Sequence, residues 1–195
     1  MFRPPRRIRR NARGGYDLRL PAEERQLLRA LPGNLGGVLA ELGPESAIPD
    51  ELRRLFPPAY LQDDEAETSY RELIRRELLE HHLGALGVLE RTADATRLSE
   101  EEADAWLAAL NDLRLAIGTR LGVTEEQVDV DPGDPSYHDW ICYQYLSYLQ
   151  SETIEALSGA LPPPSANDHD LLPEDPWGDP PGGLRWDGTP QPGHH

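Results

Sequence analysis

Ala105–Val123 reads AWLAALNDLRLAIGTRLGV, and its large apolar residues recur at intervals of three and four. This spacing keeps them on one stripe of an α-helix, which predicts a helix packed among other helices. The stripe consists of Trp106, Leu110, Leu113, Ile117 and Leu121. Polar residues Asn111, Asp112 and Arg114 lie in the same stretch, and polar groups close to a core need hydrogen-bonding partners.

The same reasoning predicts further helices and a small hairpin in the rest of the chain. Ile8–Arg10 and Tyr16–Leu20 favour β-strands on either side of a turn that contains Gly14 and Gly15. Ser99 and Glu102 have the spacing of a capping box, which predicts the start of the helix that contains Trp106. Helices are predicted at residues 21–31, 35–42, 65–91 and 99–121 and from 136 to about 157–160, with a short helical turn at 51–56. Pro32 and Gly33 break or kink the first helix.

The fold class that follows is mainly α, a bundle of four to five helices with a short N-terminal β-hairpin. After residue 161 the chain is rich in Pro, Gly and Asp, and such a segment buries too little apolar surface to order itself. We therefore predict three parts. They are an Arg-rich arm with the first hairpin strand (1–15), a helical domain (16–161) and a disordered acidic tail (162–195).

Charge is unevenly distributed along the chain. The formal net charge of the 195 residues is −16, which argues against a general nucleic-acid-binding surface. The N-terminal arm is the exception, because its cations could contact a phosphate backbone, an acidic partner or the chain's own acidic surface. Its arginines are Arg3, Arg6, Arg7, Arg9, Arg10 and Arg13.

Cys142 is the single cysteine, so no disulfide can form within one chain, and this fits a reducing compartment. No apolar run approaches the length of a membrane span, and no apolar signal core follows the basic N-terminus. We therefore expect a cytoplasmic protein without a membrane partner. Cys142 is either a redox-active thiol, with His138 one helical turn before it, or a small core residue.

Three segments resemble one actinobacterial family, domain of unknown function 2017. They are Leu52–Tyr60 (LRRLFPPAY), Trp106–Leu121 (WLAALNDLRLAIGTRL) and Tyr145–Glu152 (YLSYLQSE), and the order and spacing also agree. The resemblance implies a mainly helical cytoplasmic protein with no established enzymatic activity. It also implies a regulatory role, because some members are described as transcriptional regulators linked to oxidative stress. The single cysteine and the long tail depart from the family pattern.

Metal chemistry has a weak signal at His81 and His82, which follow Glu77 and Glu80 on a predicted helix. A di-iron bundle needs Glu-x-x-His pairs on two helices, and neither histidine has Glu three positions before it. We therefore expect neither a metal nor a cofactor, and interpret His81 as a core-edge residue with an exposed neighbour. The last helix carries many aromatic residues, which at this spacing favour a core over a base-stacking surface.

No set of acid, base and nucleophile is evident, so we predict a non-enzymatic regulatory protein that acts through protein–protein contacts. The resemblance suggests transcription machinery as the partner. Asn111, Asp112 and Arg114 then form either a partner-binding patch or a network that joins helices. One alternative is a DNA-binding regulator that uses the arginine arm. The other is an enzyme or small-molecule sensor with a pocket lined by groups such as Asn111, Asp112, His81 or His138.

Overall fold

The computed structural model of the chain describes residues 6–43, 46–58, 63–124 and 130–159. The chain divides into two units, residues 1–161 and 162–195, and the predicted tail lies outside the described residues. The described residues of the first unit form four α-helices, one 3-10 turn and three short strands, which confirms the predicted fold class. The helices are α1 (Ala22–Ala40), α2 (Asp64–Thr92), α3 (Glu100–Arg120) and α4 (Tyr137–Ser158). The strands are β1 (Ile8–Arg10), β2 (Tyr16–Leu18) and β3 (Arg97–Leu98), and the 3-10 turn is Asp50–Leu52.

Helix α3 is the centre of the packing, since it contacts α1, α2, α4 and the 3-10 turn. The predicted stripe forms the core, with Trp106, Leu110 and Leu113 almost entirely buried. The predicted capping box is confirmed at the start of this helix. Ser99 Oγ accepts a hydrogen bond from the Glu102 amide at 3.1 Å, and Glu102 Oε2 accepts one from the Ser99 amide at 2.9 Å.

Of the two alternatives predicted at Pro32, a break or a kink, the break is wrong, because α1 runs through Pro32 as one helix. A proline inside a helix removes one backbone hydrogen bond and costs about 3 kcal/mol. The Pro32 ring is itself fully buried, between the buried residues Leu28 and Leu35 on the same helix. Burial of this apolar surface against the bundle offsets the local cost.

The segment between the predicted helices at 65–91 and 99–121 contains β3, which the sequence did not predict. The sheet has the order β1-β2-β3, and Tyr16 and Asp17 of the central strand face Leu98 and Arg97 in antiparallel register. The predicted pairing of β1 with β2 is confirmed. Arg25 of α1 supports the segment before β3, because its guanidinium donates to the carbonyls of Ala93 and Ala95.

Gly15 makes a close approach that a larger residue could not make. A Cβ at this position would lie 2.7 Å from the carbonyl oxygen of Leu98 in β3. We expect Gly15→Ala to lower the free energy of unfolding by about 1–3 kcal/mol, because the strands must separate. Equilibrium urea unfolding followed by far-UV circular dichroism measures this difference.

Gly84→Ala is the matched control. Gly84 lies inside α2, and nothing is within 4 Å of a Cβ built there. Alanine should stabilise the helix by about 0.5–1 kcal/mol, because glycine loses more backbone entropy on folding. Equal effects of the two substitutions would contradict the close packing of β2 against β3.

Candidate functional site

A groove of about 180 Å³ lies between α1, α3 and α4, and the 3-10 turn contributes Glu51 and Leu52 to its lining. Leu35, Leu113 and Ile117 are buried side chains that line it, and Val38 lines it while remaining 39% exposed. The lining is therefore mainly apolar. Apolar concavities with a few polar groups are the usual form of a binding site.

The charged residues that line this groove are Glu51, Arg120 and Asp139. Arg120 of α3 and Asp139 of α4 form an ion pair with 2.8 Å between the guanidinium NH2 and Oδ1. Glu51 is exposed. The Arg120 cation is thus already paired with Asp139. The charge that remains on the groove lining is the negative charge of Glu51.

Cys142 also lines the groove and is partly buried. Burial and the charge of Asp139 raise the pKa of this thiol above its usual value, while Arg120 opposes the shift. A reactive cysteine needs the opposite shift, because the thiolate is the nucleophile. His138 is exposed and does not line the groove. A redox role for Cys142 stays a prediction.

His82 and Asp112 form a buried pair that joins α2 to α3. His82 Nδ1 lies 2.7 Å from Asp112 Oδ2, and His82 Nε2 lies 3.3 Å from the carbonyl oxygen of Leu55. The ring also meets Phe56 edge-on. The sequence interpretation was wrong here. It took His81 as the core-edge residue and its neighbour as exposed, whereas His81 is exposed and His82 is buried.

Both ring nitrogens of His82 face acceptors, and a neutral imidazole carries one N–H. Two donated hydrogen bonds therefore require the protonated ring. Burial lowers the pKa of His82, but the hydrogen bond and charge of Asp112 and the bond to Leu55 raise it more, so the pKa lies above its usual value. The raised pKa and the two acceptors favour the protonated ring of His82 beside Asp112.

The structure does not bring the three predicted polar residues of α3 together on one site. These residues are Asn111, Asp112 and Arg114. Asp112 is bound by His82, and Asn111 Oδ1 accepts a hydrogen bond of 3.3 Å from Gln150 Nε2 of α4. Arg114 is half-buried, and its Nε is a buried donor without a partner among the described residues. Two of these residues therefore join α3 to its neighbours. None of the four residues named for an enzyme pocket lines this groove, and His81 lines a separate concavity between α2 and α3.

The arginine arm contacts the chain's own acids. Arg7 makes a forked interaction with Glu24 of α1, with 2.9 Å from Nε to Oε2 and 2.8 Å from NH2 to Oε1. This hydrogen bond raises the pKa of Arg7 above its usual value, against the effect of burial. Tyr145 of α4 donates to the same carboxylate, and Arg6 pairs with Glu155 at 2.6 Å.

The other arginines of the arm are placed differently. Arg9, Arg10 and Arg13 are exposed, and Arg3 lies outside the described residues. Arg10 reaches the carbonyl of Gly159 at 3.4 Å. DNA binding by this arm stays a prediction, and within the described part of the arm Arg6 and Arg7 have acidic partners.

The described side chains contain no group of three or more His, Cys, Asp or Glu residues arranged to hold a metal ion. Within the same part of the chain, no helix is long and apolar enough to cross a membrane. The aromatic rings of α4 contact protein groups. Trp140 stacks on Tyr143 with 5.8 Å between ring centroids, and Tyr145 bonds Glu24.

Residues 5–157 match the profile of the family described as Domain of unknown function (DUF2017). The chain belongs to this family. The match includes all four helices and confirms the resemblance carried by Leu52–Tyr60, Trp106–Leu121 and Tyr145–Glu152.

The curated relatives of this DUF2017 chain include mycobacterial proteins. It is 32% identical over 124 residues to the "Putative oxidative stress regulator AosR" of Mycobacterium leprae, a match that covers 61% of this chain and 57% of the relative. It is 31% identical over 127 residues to the "Oxidative stress regulator AosR" of Mycobacterium tuberculosis. This match covers 63% of this chain and 58% of the relative. The matches thus span less than two thirds of these relatives. No solved structure matches the chain.

Proposed function

We propose that the protein is a non-enzymatic regulator of the response to oxidative stress and that it acts by binding another protein. The regulatory part of this proposal is supported by the names of the mycobacterial relatives. The binding part is supported by one observation, the apolar groove between α1, α3 and α4. Partially exposed apolar side chains that line a concavity are typical of interaction sites.

The chemistry of the groove favours binding over catalysis. Its paired charges, Arg120 and Asp139, neutralise each other, and the raised pKa of Cys142 keeps its thiol protonated near neutral pH. General acid–base and nucleophilic catalysis need groups that are free to transfer a proton or attack. The buried His82–Asp112 pair lies outside the lining of the groove and is occupied in joining two helices.

Affinity capture with the full chain tests this proposal. The chain is incubated with an actinobacterial lysate, with and without peroxide, beside an unrelated acidic helical protein as the matched control. We expect a subunit of RNA polymerase or a sigma factor to be enriched by the chain alone, in an amount that peroxide changes. Recovery of a metabolite without any protein would contradict the proposal and favour an enzyme or sensor.

A further inference from the structure

We propose that the groove receives one large apolar side chain from a basic segment of the partner protein. This inference rests on the proposed function and adds the chemistry of the partner. The occupant carries Leu, Phe or Trp as an anchor, with Arg or Lys beside it. Recognition of an amphipathic segment by an apolar groove is a common mode of protein binding.

The size of the groove sets the size of the anchor. Its volume is about 180 Å³. An apolar protein cavity of about 150 Å³ holds one benzene molecule, whereas sites for drug-sized ligands measure about 300–1,000 Å³. The groove therefore fits a single aromatic or leucine side chain. Its apolar lining from α1 and α3, which includes Leu35, Leu113 and Ile117, would desolvate that side chain.

The charge around the groove indicates that the partner segment should carry positive charge. Glu51 is exposed at the 3-10 turn, and Asp139 already holds the cation Arg120. Glu51 forms no ion pair with the residues that the structure describes, so the groove lining presents a negative charge, on a chain with a formal net charge of −16. Basic residues next to the anchor would be attracted, and an acidic segment would be repelled.

The exposed apolar side chains of α4 do not belong to the groove. Ile141 is 49% exposed and Ile154 is 44% exposed, and neither lines the groove. Isolated exposed apolar residues are normal on protein surfaces. Ile154 therefore serves as a matched control for Val38, which has similar exposure but lines the groove.

The experiment selects ligands for the purified full chain from a phage-displayed library of short random peptides. We expect the selected sequences to combine one Leu, Phe or Trp with neighbouring Arg or Lys. Val38→Arg should weaken binding of the synthetic peptide by about tenfold or more, as substitution at the centre of an interface does. Ile154→Arg should leave its affinity unchanged, and Glu51→Gln should reduce the dependence of affinity on salt.

Cys142 supplies a second readout, because it is the single thiol of the chain and lines the groove. A bound peptide should slow alkylation of Cys142 by N-ethylmaleimide in the wild-type chain and in Ile154→Arg. An acidic consensus, or loss of binding in Ile154→Arg but not in Val38→Arg, would overturn the proposal. So would selected peptides that leave the rate of alkylation unchanged.

Lysate capture with Val38→Arg separates the two proposals. Loss of a partner that the wild-type chain captures supports the groove as its binding site. Capture of that partner by Val38→Arg in the wild-type amount refutes the groove while the proposed function stands. Absence of any protein from the wild-type capture refutes the proposed function, whatever the peptides show.

Discussion

Asp112→Ala is expected to lower the free energy of unfolding by about 3–5 kcal/mol, because removal of one partner leaves a buried charge uncompensated. The group left behind is His82, whose protonated form is favoured by its raised pKa and whose Nδ1 lies 2.7 Å from Asp112 Oδ2 in the folded chain. The ring would then lose its proton or rebuild its contacts. Equilibrium urea unfolding at pH 6, followed by circular dichroism, measures the loss.

Asp94→Ala is the matched control for this substitution. Asp94 pairs with Arg29 at 3.0 Å, but both side chains are more than half exposed. Surface ion pairs of this kind contribute about 0–1 kcal/mol, so the control should be nearly neutral. A similar loss in both variants would mean that the buried pair has no special role in stability.

The pH dependence of stability supplies a second check on the same pair. The pKa of His82 is raised in the folded chain, so its contribution is fully present below the unfolded pKa of about 6.5. That contribution is lost as the pH rises through the folded pKa. We expect His82→Gln to remove this alkaline decline from unfolding curves recorded upward from pH 6. If stability declines with rising pH in His82→Gln as much as in the wild-type chain, a group other than His82 causes the decline.

The His82 pair also bears on the proposed binding site. Its Nε2 holds the carbonyl of Leu55, and its ring contacts Phe56. Glu51 and Leu52, which line the groove, lie a few residues before this anchor point. Loss of the imidazolium would therefore weaken the attachment of the segment that carries the acidic side of the groove, as well as the contact between α2 and α3.

Local patterns in the sequence were enough for much of the fold. The apolar stripe of α3 and the Ser99–Glu102 capping box involve residues within a few turns of one another, so spacing alone predicts them. The sequence did not predict β3, because a strand of two residues is too short to show alternation. Its partner Tyr16 lies far away in the sequence, and the register depends on the tertiary fold.

The candidate site was harder to predict. Its lining comes from α1, the 3-10 turn, α3 and α4, and no local motif marks residues that meet only after folding. Similarly, His82 and Asp112 are 30 residues apart, and either could be an exposed polar residue when considered alone. In α2 a row beginning at Leu78 and a row beginning at Leu79 both contain apolar residues. Periodicity therefore did not decide between burial of His81 and burial of His82.

Trp106→Ala is expected to cost about 3–5 kcal/mol of folding free energy, which is typical of a buried aromatic residue truncated to alanine. Trp106 is fully buried at the centre of α3. Its Nε1 donates to Thr92 Oγ1 at 2.7 Å, and the Thr92 hydroxyl donates to the Val88 carbonyl at 2.6 Å. The substitution thus creates a cavity and also breaks a buried chain of hydrogen bonds between α2 and α3.

Two further variants separate the cavity from the hydrogen bond. Thr92→Val keeps the volume but leaves the indole N–H without a partner, which should cost about 1–3 kcal/mol. Trp140→Ala removes a partly exposed tryptophan that stacks on Tyr143, so its cost should be well below that of Trp106→Ala. Urea unfolding followed by circular dichroism compares all three without relying on tryptophan fluorescence. A loss in Trp140→Ala as large as in Trp106→Ala would contradict a core centred on α3, because burial is the property that distinguishes the two side chains.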